Sequence, residues 1–203
     1  MQENLCFYYS AMKGGKTTRI FQKIHDLEEN DQQVLLIKPA QDTKGEAQII
    51  NRLKQTRTVD ILLFPTAKIL SEENIDKIYD CDHIIVDEAQ FLTPEQIDEL
   101  WKINKKANVP ITCFGLLTNF RGELFPGAKR LIELSDEKIE LETNSLCTCG
   151  APAKFNARKV DGVFTMKGDE IEIDGASSNV EYVPLCGACF YKKVYRKTEE
   201  SMV

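Results

Sequence analysis

The chain lacks any apolar run near the roughly 20 residues a bilayer-crossing helix needs, so neither a membrane span nor a membrane partner is expected. At Met1-Gln2-Glu3-Asn4-Leu5 it also lacks a basic stretch leading into a long apolar segment and a small-residue cleavage site. The expectation is therefore a cytoplasmic protein without a secretory leader. Positive charge is in short supply, with 26 Lys and Arg against 32 Asp and Glu and a formal charge of −6. A protein that coats nucleic acid needs a basic surface to neutralise phosphates, so this balance argues against one while leaving room for a local anion site. No internal repeat is visible. What is present is an ordinary globular composition, 42% hydrophobic and 29% charged over 203 residues, enough for one substantial domain or one with a small appendage.

Up to about Thr143, short apolar runs alternate with helical patterns, which predicts a parallel α/β sheet with helices on both faces. Strands are expected over residues 5–9, 33–38, 60–64, 83–87, 110–115 and 139–141, several of them too uniformly apolar to leave one face in water. Ile20, Phe21, Ile24 and Leu27 recur at helical spacing. Thr93-Pro94-Glu95-Gln96 supplies an N-cap, a proline at the first helical position and a capping-box glutamine ahead of the apolar face Ile97, Leu100 and Trp101. A short helix is expected to start at Ser71 and carry Ile75, Ile78 and Tyr79, and another to cover 128–134. His83 and His25 read as a strand-edge and a helix-surface residue rather than catalysts. Beyond Thr143 the character changes to cysteine pairs, glycines at 162, 168 and 175, and short strand-like pieces over 163–166 and 170–173, ending in a polar tail over 197–203.

The first strand runs into Ser10-Ala11-Met12-Lys13-Gly14-Gly15-Lys16-Thr17 and then a helical pattern, the strand, loop and helix context of a phosphate loop. Successive backbone amides and a helix N-terminus can cradle phosphate oxygens, Lys16 can reach the β- and γ-phosphates of ATP, and the Thr17 hydroxyl can ligate Mg²⁺. The bland alternative is a glycine turn capping an ordinary helix, and Ser10 stands where such a loop has its first glycine. A second half of the site is expected where the apolar run His83-Ile84-Ile85-Val86 ends in Asp87-Glu88. At the C-terminal end of a strand Asp87 can hold Mg²⁺, which leaves Glu88 free to act as a base; the alternative is two solvated acids.

Seven cysteines in a chain of this size without a leader favour metal ligation over disulfides. Cys6, Cys81 and Cys113 are scattered among apolar residues and read as inert core thiols. Cys147-Thr148-Cys149 and Cys186-Gly187-Ala188-Cys189 are two short-spaced pairs suited to one tetrahedral, structural Zn²⁺. Reduced thiols or a redox pair at Cys186 and Cys189 are the alternatives, although no thioredoxin-like context surrounds them. The segment between the pairs has too few apolar residues to bury a core of its own, so a metal joining its ends would hold its shape.

The loop at 10–17, Asp87-Glu88-Ala89-Gln90-Phe91-Leu92, Thr118-Asn119-Phe120-Arg121-Gly122-Glu123-Leu124-Phe125, and Tyr182 shortly before Cys186 together resemble the type II thymidine kinases through nearly the whole chain. The resemblance implies a P-loop NTPase-like α/β kinase domain over 1–143, a zinc-bound lasso module over 144–193 and a disordered tail over 194–203. It implies ATP-dependent phosphorylation of the 5′-hydroxyl of thymidine or deoxyuridine by a homo-oligomer, dimer or tetramer, with Glu88 as base. It places Gln90 in the phosphate-binding set, lines the nucleoside pocket with Met12, Phe91, Leu116, Phe120 and Phe125, and puts Tyr182 in a loop that closes over the base. Metal loss should then weaken nucleoside binding before ATP binding, because the phosphate loop belongs to the sheet. This chain departs from the family at Ser10, at Lys44, where Asp42-Thr43-Lys44 replaces Asp-x-Arg, and at Asn156, where some members carry Thr; its loop before Tyr182 also looks longer. The additional cation of phosphoryl transfer is then Lys44, Arg52 or Arg121. From other classes, a nucleic-acid-dependent P-loop ATPase would show hydrolysis stimulated by DNA, and a nucleotide-binding regulator would bind ATP without turnover.

Overall fold

Strands apolar on both faces require a layer of helices on each side. The computed structural model, which describes residues 4–40, 47–142, 145–168 and 179–196, has that arrangement. Packing divides the chain into two units. One comprises the chain up to Tyr9, Gly15–Leu116 and Phe125–Leu141; the other comprises Ser10–Gly14, Leu117–Leu124 and the chain from Glu142 onward.

The first unit contains, in order, β1 (Leu5–Tyr9), α1 (Lys16–Glu28), β2 (Val34–Pro39), β3 (Gln48–Ile50), β4 (Thr56–Thr58), β5 (Ile61–Leu63), α2 (Ile75–Asp80), β6 (His83–Val86), α3 (Pro94–Ala107), β7 (Ile111–Gly115), α4 (Pro126–Leu134) and β8 (Glu137–Glu140). Six strands form a parallel sheet in the order β5-β2-β6-β7-β1-β8. Since all run the same way, the C-terminal ends of β1, β2, β6 and β7 share one edge, where open α/β sheets bind ligands. On one face Ile20 and Ile24 of α1 pack with Leu36, Ile85 and Phe114. Strand residues of the other parity, Leu35, Ile37, Ile84 and Val86, are buried too. The helix α3 buries Ile97, Leu100 and Ile103, and α4 packs along α3 and against β1. Each such aliphatic side chain contributes about 1.5–3 kcal/mol by leaving water. The capping box of α3 forms as its sequence predicts: Thr93 Oγ1 accepts the Gln96 N–H at 3.2 Å and Gln96 Oε1 accepts the Thr93 N–H at 3.0 Å.

Three local expectations differ from the structure of this unit. The last strand of the sheet is Glu137–Glu140, an edge strand that begins two residues before the expected 139–141 and whose side chains apart from Ile139 are exposed and charged. The short helix starts at Ile75 behind Asn74, and Ser71 lies in the preceding turn, where its carbonyl accepts from the Asn74 and Ile75 amides. His83 lies in a central strand, buried, with its Nε2 and Thr112 Oγ1 2.8 Å apart. The β3–β4 hairpin has no counterpart among the expected strands, because each of its strands is only three residues long and gives no run to read.

In the second unit β9 (Phe155–Val160), β10 (Val163–Thr165) and β11 (Val180–Leu185) form an antiparallel sheet in the order β10-β9-β11, followed by a short helix α5 (Gly187–Phe190) and a π-helical turn over Tyr191–Tyr195. This module buries a small core after all: Ala157, Leu185, Phe190, Val194 and Cys147 cluster, with Phe155 stacked on Phe190 at 4.6 Å. Val194 and Tyr195, expected in the tail, close the π-helical turn, and Val194 is buried. The expected strand piece over 170–173 lies outside the described residues, as do 197–203.

Burial brings the His83 imidazole down to about 4 from its ordinary 6.5, and Lys23 adds repulsion. The unfolded chain therefore takes up this proton first as pH falls. The stability due to neutral His83 is complete above about pH 6.5 and is lost toward about pH 4. His83→Gln is expected to flatten that loss by about 3 kcal/mol, read from urea midpoints of parent and variant near pH 7.5 and pH 4.5. Parallel pH profiles would show that burial does not shift this group.

Candidate active site and cysteine centre

In the first unit the functional side chains follow from where two strands stop. Lys16 opens α1 and is 7% exposed; burial lowers the pKa of its ammonium, while Glu88 and Asp87 pull it back up. Asp87, the residue after β6, is 4% exposed and accepts the Glu88 N–H at 2.9 Å. Burial and the neighbouring Glu88 carboxylate push it up to about 7, against the Glu88 amide, Lys16 and Lys38. Glu88 takes a left-handed backbone, φ 49°, a conformation non-glycine residues rarely adopt and one found at functional sites. That twist leads into a single 3₁₀ turn, Ala89–Phe91. Gln90 in this turn is almost fully buried: its Nε2 donates to Glu88 Oε2 at 2.6 Å and its Oε1 accepts the Leu116 N–H at 2.9 Å. The carboxamide that the resemblance assigns to the phosphates thus holds the Glu88 carboxylate and ties it to the end of β7. Phe91 and Leu116 are half-buried, and Phe91 meets the buried Phe125 edge to face at 5.6 Å. Thr17, half-buried, lies in the first turn of α1, where backbone amides have no intrahelical acceptor.

Lys38 was not among the residues singled out from the sequence. It is 1% exposed near the end of β2 and donates to the Gln48 carbonyl at 3.3 Å. The signal was available: a lysine inside the otherwise apolar run Val34–Pro39.

In the second unit, the first residues of the phosphate loop form a closed turn. The Gly14 N–H donates to the Ala11 carbonyl at 3.2 Å, and so does the Ser10 hydroxyl at 3.0 Å. A Cβ on Gly14 would lie 2.3 Å from Ser10 Oγ, so Ser10 occupies the space that only a glycine at 14 leaves. Met12, half-buried, donates its amide to Asn156 Oδ1 of β9 at 2.7 Å, and Lys13 is exposed. The expectation that the whole loop belongs to the sheet is corrected here: Ser10–Gly14 pack with the cysteine-bearing unit. Phe120 is 2% exposed, with the Arg121 and Arg158 guanidiniums 4.6 and 5.1 Å from its ring centre. Arg121 Nε donates to the Met166 carbonyl at 3.0 Å and its Nη2 to the Gly168 carbonyl. Of the three candidate cations, Arg121 is therefore engaged by backbone carbonyls, Arg52 is exposed, and Lys44 lies outside the described residues. Tyr182, expected in a loop, sits within β11 opposite Arg158.

The four paired cysteines converge in this unit, with Sγ atoms of Cys147, Cys149, Cys186 and Cys189 all within 4.8 Å of one another. Cys149 and Cys186 sulfurs are 3.6 Å apart, far beyond a disulfide and close to the roughly 3.8 Å edge of a tetrahedron with Zn–S bonds of about 2.3 Å. For Cys147, burial disfavours the thiolate, but the Cys149 and Cys186 amides and the neighbouring thiols outweigh it and bring it down to about 6. Cys189 is pushed up to about 12 by the Cys147, Cys149 and Cys186 side chains. Four thiols this close cannot all ionise without a cation among them, and the donor set fits zinc with no position open for water. Cys81 and Cys113 are buried with raised pKa values, and Cys6, half-buried, is raised as well, in keeping with inert thiols.

The thymidine kinase family pattern matches residues 3–190, the cysteine module included. The chain belongs to the thymidine kinase family. Curated relatives named thymidine kinase include those of Cutibacterium acnes, 35% identical over 90% of this chain and 85% of the relative, and Chromobacterium violaceum, 36% identical over 92% and 97%. The relative from Zymomonas mobilis is 33% identical over 94% of this chain and 97% of its own. A solved structure of AMPPCP-bound DnaA from Aquifex aeolicus overlays on 71% of this chain and 42% of that one at 15% identity and a TM-score of 0.40, too low a likeness to carry a conclusion. The family match displaces the nucleic-acid-dependent ATPase reading. The enzyme is a thymidine kinase, with a nucleoside and ATP as substrates. No helix among the described residues is long and apolar enough to cross a membrane.

Metal analysis of the purified protein is expected to give about one zinc per chain, and a strong chelator or Cys189→Ser to lower the thermal midpoint, because metal binding and folding of this module are linked. A metal-free protein with the parent's midpoint would exclude a structural zinc.

Proposed function

We propose that Glu88 is the general base that takes the proton from the 5′-hydroxyl of thymidine or deoxyuridine. As that oxygen bonds to the γ-phosphorus of ATP, the bond from phosphorus to the ADP oxygen breaks, and the products are the nucleoside monophosphate and ADP. The observation carrying this reading is the line from Leu116 through Gln90 to Glu88, which holds one carboxylate in a fixed orientation beside a buried lysine. Phosphoryl transfer asks little covalent chemistry of a protein, so a placed base and positive charge at the phosphates supply most of what is needed. In this reading Lys16 faces the transferred phosphate, amides of the 10–17 loop and of the α1 N-terminus hold the remaining phosphate oxygens, and Gln90 positions the base. Thr17 and Asp87 would hold Mg²⁺, and the fit rests on the paired carboxylates at 87 and 88, which leave Asp87 held up to about 7 despite two nearby lysines. Magnesium, when bound, neutralises charge on the β- and γ-phosphate oxygens.

Met12, Phe91, Leu116, Phe120 and Phe125 are proposed as walls of the nucleoside pocket and Tyr182 as a contact to the base. Phe120 and Phe125 are the rigid members, since each is already packed in its own unit. A homo-oligomeric state and a cytoplasmic location belong to the same proposal.

With Mg-ATP and a panel of nucleosides, thymidine and deoxyuridine are expected to yield 5′-monophosphates, and inactivity toward every member would overturn the reading. Glu88→Gln keeps the shape and the link to Gln90 but removes the proton acceptor. Its kcat is expected to fall by about 10²–10⁴-fold with thymidine affinity retained. A variant with near-parental kcat would mean that another group takes the proton.

A further inference from the structure

We propose that Asn156 is a positioning residue for the ATP phosphates: its carboxamide, projecting from β9, presets the phosphate loop by holding the Met12 amide. The proposal deepens the ATP-binding role given above to the 10–17 loop and rests on it. Asn156 and Met12 are 144 residues apart in sequence, yet the Met12 N–H donates to Asn156 Oδ1 at 2.7 Å. Asn156 is 4% exposed, so its acceptor is shielded from competing water. Its strand is the middle one of the sheet, paired with β10 on one side and β11 on the other, which gives the carboxamide a rigid base.

The Gly14 amide and the Ser10 hydroxyl both go to the Ala11 carbonyl, so they shape the turn but tie it to nothing outside the loop. The Met12–Asn156 bond supplies that tie. It also removes the Met12 amide from the set of phosphate donors and fixes the peptide between Ala11 and Met12, which limits how the following amides can point. A loop already ordered in this way does not have to be ordered by ATP, and preorganisation appears as affinity. Asparagine suits the task because its amide oxygen remains a neutral acceptor; an aspartate there would set a negative charge beside a loop meant for an anion.

Three measurements test this. In the nucleotide-free parent, hydrogen exchange should find the Met12 amide protected; exchange at the rate of an open loop would overturn the proposal by itself. Asn156→Leu, close in size but without an acceptor, should expose that amide and weaken equilibrium binding of a non-hydrolysable ATP analogue by about ten-fold, while the thermal midpoint and the bound metal stay those of the parent. Asn156→Thr, which keeps a shorter oxygen acceptor, should lie between parent and Leu variant, and serves if the Leu variant fails to fold. Unchanged analogue affinity in Asn156→Leu overturns the proposal. Loss of analogue affinity together with loss of metal and a lower thermal midpoint overturns it as well, since that is what a merely structural residue would give. A parent that binds no ATP analogue would instead sink the ATP-site reading beneath it.

Discussion

Lys16 and Asp87 are nearly removed from water, and charged groups are kept in such a place only with opposite charge nearby, Glu88 and Asp87 for Lys16, Lys16 and Lys38 for Asp87. Most of the first unit can be understood as what burying these groups requires. A buried ammonium needs a helix start to carry it, which α1 supplies directly behind the glycines of the loop. A buried carboxylate needs a strand that ends inside the protein, and β6 ends there because β2 and β7 flank it. The arrangement remains short of positive charge. Even with Lys38 nearby, Asp87 is pushed up to about 7 by burial and the neighbouring Glu88 carboxylate.

Glu88 shows how adjacent residues are given different tasks. Asp87 continues the strand and turns inward, whereas the left-handed backbone at Glu88 redirects the chain and leaves its carboxylate half-exposed, held by Gln90. Strain of this kind persists where surrounding structure over-determines it. Here the buried 3₁₀ turn and the bond from Gln90 to the Leu116 amide do so.

The cysteine module carries more than its metal ligands. Its core of Ala157, Leu185, Phe190 and Val194 is small, and a chain segment of that size needs a staple. Four cysteines at metal-binding distances provide one. The same unit contains the first half of the phosphate loop and the Phe120 string, with Arg121 and Arg158 on the Phe120 ring. The cysteine-bearing unit therefore also steadies the phosphate loop, because β9 holds Met12.

What could be read directly from the sequence were features whose physics is local. The loop at 10–17, the apolar strand ending in Asp87-Glu88, the Thr93 to Gln96 capping box and the two cysteine pairs each announce themselves within a few residues, because hydrogen-bond reach and helical or strand periodicity act over that distance. The position of β8, the β3–β4 hairpin, strands β9 and β11, the burial of His83, and the placing of Tyr182 in a strand were not legible in the same way. Polar or short strands become strands only when a partner pairs with them, and a histidine is buried only when helices close over it. The task of Gln90 and the bond from Asn156 to Met12 depend on residues 26 and 144 positions away. The sequence by itself determined the chemistry the chain carries: a phosphate loop, a paired acid and a four-thiol centre. Only the tertiary structure decided which neighbour orients each group, because that choice is made by contacts between segments whose meeting no local pattern encodes.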